Sequence, residues 1–450
     1  MKLPMMQMLS RVCVLAALLL AGPVRAALDI QSWQSAQGAQ VLLVSNPALP
    51  MLDIRVVFDA GSARDGDDHG LAQLTNSLLD EGAGGRDAQQ LAEALESVGA
   101  EVSLESLRDM AYVGLRTLTE QPYRERALAT FKAILTQPDF TPRAFERQLA
   151  RFRVALKARE QSPSDIAEEA YYKALYGDHP YAAPVAGSRE SLARLTRDKV
   201  QAHYRRHYVA RNAVVAIVGD IERGEAEKLV DELLAALPAG EKAPPIAAVE
   251  PLREAKTVTI DYPSAQSHIL IGQPGIRRGD ARHFDLYVAN HPFGGSGFAS
   301  RLVDVIRDQH GLAYSVYSYF SPMREAGPFT LGMQTKNDQA EKAIGLLREE
   351  LEKYHRDGMT KQEYDKSLSN ITGSFPLNLD SNSKILGYLA MIGFYDLPLD
   401  YLDTFLDRIR AVTPQSARQA FAAVVKPRAM VTVVVGDQAS RLQTAGAGAD

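Results

Sequence analysis

Two rhythms of hydrophobic and polar residues recur along this chain. β-Branched segments such as LDIRVVFDAG (52–61) and SHILIGQPG (267–275) predict strands early in each half. Apolar residues three or four apart in ERALATFKAILTQ (125–137) and KAIGLLREELEKYH (342–355) predict long amphipathic helices after them. Strands early and late with helices between them indicate an α+β fold of two halves, each a mainly antiparallel sheet covered by helices on one face.

The two halves share an internal repeat. LTRDKVQAHYRRHYVARNAVVAIVGD (195–220) and VTPQSARQAFAAVVKPRAMVTVVVGD (412–437) both run from a threonine through a helical stretch and a basic turn into a β-branched strand ending in Gly-Asp. That threonine and the final aspartate are 24 residues apart in both copies. Two unrelated helix-strand units could look alike, but the identical spacing favours a duplicated plan.

Domain boundaries follow from this repeat. The segment LPAGEKAPPIAAVEP (237–251) holds four prolines and few packing residues, which is typical of a linker. A chain of 450 residues is also longer than one hydrophobic core usually organises. We therefore expect one α+β domain over 27–236, a second over 252–440 and a flexible tail over 441–450.

The first 26 residues have the layout of a secretory signal peptide. Lys2 and Arg11 give a positive start, VCVLAALLLA (12–21) is an apolar run, and small residues end at Ala26. Ten apolar residues cannot span a bilayer, which needs about 20. We therefore expect an exported, periplasmic chain without a membrane anchor. Its single cysteine, Cys13, would be lost with the peptide, so no disulfide is expected.

Charge argues against a nucleic-acid partner. Removal of Lys2, Arg11 and Arg25 with the signal peptide leaves 47 basic residues against 55 acidic ones, a formal charge of −8. Proteins that bind nucleic acid usually carry an excess of positive charge. We therefore expect no nucleic-acid binding.

The segment HGLAQLTNSLLDEG (69–82) combines a packing stripe with an unusual polar face. Its leucines recur at helical spacing and predict a buried stripe. The positions beside that stripe, Gln73, Thr75, Asn76 and Ser77, are short, neutral and polar. Core packing alone does not account for such a face.

His203 and His207 have the four-residue spacing of a helical zinc pair. The residues between them are Tyr204, Arg205 and Arg206, which supply no glutamate base and two cations that would repel a metal ion. We therefore interpret both as ordinary helix histidines.

A Gly-rich loop opens GGSGFASR (294–301) and consists of Gly294, Gly295, Ser296 and Gly297. It lacks the Gly-Lys-Ser/Thr of a nucleotide-binding loop. Two interpretations stay open. The glycines could let backbone approach an extended ligand, or they could form a tight turn that leads into a helix.

A helix and a strand follow this loop. The pattern predicts a helix over 300–309, ended by Gly311, and then a tyrosine-rich strand, AYSVYSY (313–319). Arg307 in the last helical turn and Tyr314 at the strand start can face one space. A guanidinium and a phenol can hold a peptide carbonyl and stabilise the oxyanion of a tetrahedral intermediate. Taken singly, Arg307 is a solvated helix residue and Tyr314 a core tyrosine.

Four blocks together resemble the pitrilysin-like M16 peptidases, particularly the shorter M16B type. They are GSARDGDDHGLAQLTNSLLDEG (61–82), YGDHPYAAPVAG (176–187), NAVVAIVGD (212–220) and GGSGFASRLVDVIRDQHGLAYSVYS (294–318). The resemblance covers almost all of the expected mature chain, and the last block is the most specific. It implies two homologous halves of the LuxS/metallohydrolase-like fold.

The resemblance also gives the polar helix face a meaning. In catalytic members the helix after GLA carries the zinc motif H-x-x-E-H, and its three functional positions are Gln73, Asn76 and Ser77 here. The third ligand, a glutamate, would fall in RQLARFRVALKAR (147–159), which holds no carboxylate and where Ala155 is the nearest equivalent. The resemblance therefore implies a degenerate zinc motif, with no metal and no other cofactor in this chain.

Arg307 and Tyr314 match the family's arginine and tyrosine pair, which in active members assists the zinc from the second half. These features predict the zinc-free subunit of a two-chain M16B-type metallopeptidase, inactive alone. A homologous partner carrying H-x-x-E-H would bind the zinc and supply the base, while this chain would supply the pair and the Gly-rich loop to an unfolded peptide substrate. The alternative is a catalytically inactive M16-like scaffold or peptide-binding protein.

Overall fold

The computed structural model describes residues 28–440. The predicted signal peptide (1–26) and the predicted tail (441–450) lie outside the described residues. Within the described range, no helix is both long enough and apolar enough to cross a membrane.

The first half of the chain builds a six-stranded sheet. Its strands, with those of a small ribbon, are β1 (Gln31–Gln34), β2 (Gln40–Ser45), β3 (Met51–Phe58), β4 (Gly82–Ala83), β5 (Arg86–Asp87), β6 (Glu101–Ser106), β7 (Ala111–Leu118) and β8 (Ala213–Gly219). The order in the sheet is β1-β2-β8-β3-β7-β6, and only the β2–β8 pair is parallel. Strands β4 and β5 form the separate ribbon.

The second half builds a sheet with the same plan. Its strands are β9 (Lys256–Asp261), β10 (Gln266–Pro274), β11 (Ala313–Phe320), β12 (Pro328–Lys336) and β13 (Val431–Gly436). The order is β9-β13-β10-β12-β11, and only the β13–β9 pair is parallel. The order β2-β8-β3-β7-β6 of the first sheet corresponds to it strand for strand. The predicted duplication is therefore confirmed, and the two Gly-Asp strands of the repeat are the equivalent strands β8 and β13.

Helices follow the strands in both halves. Those of the first half are α1 (Leu71–Asn76), α2 (Ala88–Glu96), α3 (Tyr123–Thr136), α4 (Pro142–Arg159), α5 (Pro163–Tyr176), α6 (Arg189–Arg194), α7 (Arg197–His207) and α8 (Arg223–Leu234). Those of the second half are α9 (His283–Asn290), α10 (Ala340–Asp357), α11 (Lys361–Ser374), α12 (Asn382–Phe394), α13 (Tyr401–Ala411) and α14 (Pro414–Val424).

The two halves exchange one helix each. Each sheet is covered on one face by helices of its own half, which confirms the predicted fold class. The opposite face is covered from the other half: α12 packs on β2, β3 and β8, and α5 packs on β10 and β13. The prediction of a single covered face was therefore incomplete, because the central strands of each sheet are buried on both faces.

The side chains of strand β2 pack alternately in two hydrophobic cores. Successive side chains of a strand point to opposite faces of the sheet. Val41 and Leu43 accordingly belong to the core of the first half, whereas Leu42 and Val44 belong to the cluster that contains Leu389 of α12. The continuous apolar run is thus explained by burial on both sides.

The exchanged helix α5 approaches its sheet at a glycine. The hydroxyl of Tyr171 donates to the carbonyl oxygen of Phe329 at 3.2 Å and lies 3.0 Å from the Oγ1 of Thr330. A Cβ atom on Gly272 of β10 would lie 2.0 Å from the Tyr171 Oη and 2.1 Å from the Phe329 oxygen. Gly272 therefore provides the space in which the two halves pack.

Replacing Gly272 by alanine is expected to lower the free energy of unfolding by about 2–3 kcal/mol, since overpacking a close contact shifts both helix and strand. Urea unfolding followed by circular dichroism measures the change. The control is Gly345→Ala: Gly345 lies in helix α10 with nothing near its Cβ position, so this change should stabilise by up to about 1 kcal/mol. Equal effects of the two changes would contradict the packing role of Gly272.

A buried carboxylate also joins the halves. Asp109, between β6 and β7, accepts hydrogen bonds from the Tyr181 hydroxyl at 2.5 Å, the Tyr395 hydroxyl at 2.9 Å and the Arg324 backbone N–H at 2.7 Å. Tyr181 belongs to the first half, whereas Tyr395 and Arg324 belong to the second. Asp109 is only 3% exposed, so little water is available to accept these hydrogen bonds in its place. The carboxylate therefore holds the two halves in one arrangement.

Candidate functional site

The first half of the candidate site starts at helix α1. A buried carboxylate, that of Asp65, accepts the backbone N–H groups of Gly70 and Ala72, both at 2.8 Å, and so satisfies donors at the helix start. Gly70 has a φ of +92°, a left-handed conformation that favours glycine. These contacts fix the beginning of a six-residue helix, after which the chain turns away at Ser77.

The polar face of α1 is used inside the fold. The Asn76 amide donates to the Tyr208 hydroxyl at 3.1 Å and to the Tyr112 carbonyl at 3.3 Å. The Ser77 hydroxyl donates to the Leu74 carbonyl at 3.0 Å. The Gln73 amide oxygen is buried and has no hydrogen-bond partner in the described part of the chain. Neutral amides and a hydroxyl that bonds its own helix are poor zinc donors.

Helix α4, where the resemblance places a third ligand, carries cations and no carboxylate over 147–159. Ala155 of helix α4 is exposed and offers no donor. On the same helix, Arg147 and Arg151 form ion pairs with Glu81, the Arg151 Nη1 lying 3.0 Å from the Glu81 Oε1. Gln148 donates to the same carboxylate. The carboxylate that follows α1 is therefore already neutralised by α4.

This donor set does not fit zinc. Within residues 28–440 no group of three or more histidine, cysteine, aspartate or glutamate side chains could hold a metal ion. A zinc site needs about three such ligands, and neighbouring arginines oppose it. No chemistry of this chain is therefore derived through a metal of its own.

The two helix histidines lie in the interior. His203 and His207 of α7 are both buried, and their ring centroids are 4.6 Å apart. Burial lowers the pKa of His203 to about 3 and the pKa of His207 to about 4, because a charged imidazole is costly away from water. Both rings are therefore neutral packing elements of α7 at physiological pH.

Mild acid is expected to destabilise the chain through these histidines. The unfolded chain binds a proton near pH 6.5, whereas the folded chain keeps each ring neutral. The contribution of each neutral ring to the free energy of unfolding is therefore fully present above pH 6.5 and is lost as the pH falls toward the folded pKa. For one ring, the free energy of unfolding should fall by about 2 kcal/mol between pH 7 and pH 5. Urea titrations at both pH values should show a smaller pH effect for His203→Leu than for wild type. His310→Leu, at an exposed histidine, is the control and should keep the full effect. An unchanged pH effect in His203→Leu would contradict the assignment.

In the second half, the Gly-rich loop begins inside a distorted helix. Residues His291–Gly295 continue α9 as a π-helical turn. Gly294 is buried against strand β11, where a Cβ atom would lie 2.5 Å from the Ser318 backbone nitrogen. Gly297 has a φ of +60° and open space around it. Packing explains Gly294, and a Cβ atom on Gly295 would lie 3.0 Å from the Asn290 backbone oxygen. Gly295 and Gly297 are nevertheless exposed and leave backbone accessible.

Arg307 and Tyr314 do lie in one space. Arg307 belongs to the π-helical segment Val303–Gln309, and its guanidinium carbon lies 5.2 Å from the centre of the Tyr314 ring. The same carbon lies 4.8 Å from the centre of the Phe298 ring. These are cation–π distances, so two rings position one guanidinium. Phe298 was not predicted as a site residue, although an aromatic residue directly after a Gly-rich loop was a signal for it.

A β-bulge presents Tyr314 to solvent. Ala313 pairs with Thr335 and Val316 pairs with Met333, so strand β11 has one extra residue at this point. Bulges often re-aim a side chain next to an active site. Tyr314 is 78% exposed and Phe298 is 73% exposed. The interpretation of Tyr314 as a core tyrosine is therefore wrong, and within the described residues its hydroxyl has no hydrogen-bond partner.

Comparisons with known proteins agree with this architecture. The family model described as insulinase (peptidase family M16) matches residues 40–189, and the model described as peptidase M16 inactive domain matches residues 194–371. A solved peptidase M16 inactive domain from Pseudomonas fluorescens is 34% identical, with a TM-score of 0.88, and the match covers 91% of this chain and 98% of that one. A solved Helicobacter pylori protease, 18% identical with a TM-score of 0.84 over 90% of this chain and 99% of that one, shows the shared fold.

Curated relatives carry two kinds of name. A Bacillus subtilis protein named "Uncharacterized zinc protease YmxG" is 26% identical over 79% of this chain and 86% of its own length. A Helicobacter pylori protein named "Non-peptidase homolog YmxG" is 28% identical over 83% of this chain and 86% of its own length.

Proposed function

The chain belongs to the insulinase-like peptidase family M16, and we propose that within it the chain is the zinc-free subunit of a two-chain M16B-type metallopeptidase. A homologous subunit with an intact H-x-x-E-H motif would hold the zinc and the general base. This chain would contribute Arg307, Tyr314 and the Gly-rich loop to the shared site. We further propose that the complex is periplasmic and that its substrate is an unfolded peptide.

One observation carries this proposal: an exposed tyrosine with an unbonded hydroxyl stands beside the guanidinium of Arg307. Tyr314 buries little surface, so the fold gains little from it. The bulge and the π-helical segment hold Tyr314 and Arg307 together at the surface. π-Helical turns and bulges cost regular hydrogen bonding and are frequent at functional sites. The arrangement is better explained by a ligand outside this chain than by stability.

The chemistry of the pair suits a peptide carbonyl. The Tyr314 hydroxyl would donate to the carbonyl oxygen and more strongly to the oxyanion that develops from it. The Arg307 guanidinium, held near the phenol ring, would add positive charge at the same place. The exposed backbone at Gly295 and Gly297 would let an extended peptide lie close to the pair. Zinc in the partner would polarise the carbonyl and activate the attacking water.

A second function is favoured by a different observation. Two of the three degenerate positions, Asn76 and Ser77, are hydrogen-bonded within the fold, and one relative is named a non-peptidase. The chain could then serve as a catalytically inactive scaffold or peptide-binding protein. In that case the Arg307–Tyr314 pair would bind peptide without assisting cleavage.

Reconstitution separates the two functions. Zinc content and cleavage of a quenched peptide are measured for this chain alone, for a homologue with an intact zinc motif from the same cell, and for the mixture. Chelator-sensitive activity in the mixture alone would support the composite peptidase. Full activity of the homologue alone, unchanged by mixing, would support the scaffold.

A further inference from the structure

A basic cavity lies at the junction of the two halves, away from the residues assigned to the peptidase site. Its volume is about 700 Å³. We propose that it binds a small oxyanion with at least two negative charges, of the kind carried by phosphate groups and by polycarboxylates. The charged residues that line it are Asp59, Arg64, Lys242, Arg277, Arg278, Arg324 and Glu325.

The charge balance of the cavity opposes that of the protein. Its lining carries five cations and two carboxylates, an excess of three positive charges, whereas the whole chain has a formal charge of −5. Of the two carboxylates, Asp59 is bound by Arg64 through two hydrogen bonds of 2.7 and 2.8 Å. Like charges gathered at a partly enclosed surface repel each other, and an anion between them relieves that repulsion.

Two guanidinium groups at the cavity have one nitrogen without an acceptor, although the Arg324 Nη2 donates to the Phe394 carbonyl at 2.8 Å. The Nε atoms of Arg278 and Arg324 are buried and have no hydrogen-bond partner in the described structure. The Arg324 Nε lies 3.8 Å from the nearer oxygen of Asp59, which is too long for a hydrogen bond. A buried donor without an acceptor destabilises the fold. The two Nε atoms are themselves shielded from the cavity, so an oxyanion there would be bound through the outer Nη atoms of the two guanidinium forks.

Tyr395 keeps the two guanidinium groups on one wall of the cavity. The centre of its ring lies 5.5 Å from the guanidinium carbon of Arg278 and 5.8 Å from that of Arg324. Its hydroxyl is fixed by the hydrogen bond to Asp109. The cationic wall is therefore positioned by the same buried contacts that join the halves.

The connection between the halves forms another wall. Between helix α8 and strand β9 the chain has neither helix nor strand. The Ala243 N–H donates to the Asn212 side chain at 2.9 Å, and Arg64 donates to the Pro244 carbonyl at 2.7 Å. These bonds hold Lys242 at the cavity. A bound oxyanion would therefore contact the first half, the connection and the second half together, and its binding would stabilise the contact between the halves.

The test measures binding of two probes, inorganic pyrophosphate and citrate, to the full mature chain by calorimetry and by thermal unfolding at constant ionic strength. Saturable binding of either probe, with a rise in melting temperature that sodium chloride does not reproduce, is expected. Binding of pyrophosphate alone would identify phosphate groups as the anionic groups of the ligand, and binding of citrate alone would identify carboxylates. Absence of saturable binding by both overturns the proposal.

Matched variants locate the site. Lys242→Gln and Arg278→Gln should each weaken binding about tenfold, the effect of one lost charge-assisted contact. Arg205→Gln removes the same charge from the exposed face of α7 and should bind as wild type does. Lys242 makes no hydrogen bond in the described structure, so its variant tests the site even if Arg278→Gln folds poorly. Equal weakening by Arg205→Gln would show non-specific attraction and overturn the proposal.

Discussion

Replacing Tyr314 by phenylalanine is expected to lower the turnover number of the mixed two-chain peptidase by about 10²–10³-fold. Removal of one donor to a developing oxyanion has an effect of this size. The phenylalanine ring can still lie against Arg307, so the geometry of the cluster and the Michaelis constant should change little. Steady-state kinetics with a quenched peptide, this chain being in excess over its homologue, measures both constants.

The control for this variant is Tyr123→Phe. Tyr123 is a partly exposed tyrosine at the start of helix α3 in the first half, so this change removes the same hydroxyl from an unrelated surface. It should leave the turnover number at the wild-type value. A Tyr314→Phe mixture with wild-type turnover would remove Tyr314 from the reaction and would favour the scaffold function. A raised Michaelis constant with normal turnover would indicate peptide binding without a part in catalysis.

Replacing Asp109 by alanine is expected to lower the free energy of unfolding by about 3–4 kcal/mol. The change leaves two tyrosine hydroxyls and the Arg324 N–H without their shared acceptor, and each buried donor without an acceptor costs about 1–3 kcal/mol. Because these donors come from both halves, the loss of stability should weaken the contact between the halves. Urea unfolding measures the free energy, and limited proteolysis within 237–251 reports whether the halves separate.

Two variants make this result specific. Asp109→Asn keeps one acceptor oxygen and nearly the same volume, so it should lose less stability than Asp109→Ala. Asp178→Ala removes an exposed carboxylate and should change stability by no more than about 0.5 kcal/mol. A loss below about 1 kcal/mol for Asp109→Ala, with no faster cleavage of the connection, would show that this carboxylate does not hold the halves together.

The local parts of the candidate site were predictable from the sequence. Arg307 and Tyr314 are seven positions apart, so one helix end and one strand start suffice to bring them together. The positions that the family resemblance aligns with the zinc motif, Gln73, Asn76 and Ser77, are likewise local, since they lie in and directly after one six-residue helix. Phe298 was missed because its place beside Arg307 depends on the path of a Gly-rich segment, and glycine leaves that path open. The exposure of Tyr314 was missed because a β-bulge adds only one residue and leaves the alternation of polar and apolar residues along the strand nearly unchanged.

The sequence by itself determined the α+β class and the duplicated strand plan, since both are written in the spacing of residues over short distances, whereas the degenerate zinc motif is what the family resemblance implies. Only the tertiary structure decided which helix covers which face, how Asp109 joins the halves, and how five cations meet around one cavity. An apolar run such as that of β2 shows that both of its faces are buried, but α12, which covers one of them, lies more than 300 residues further along. Contacts over such distances depend on how two folded halves fit together, and no local pattern of side chains encodes that fit.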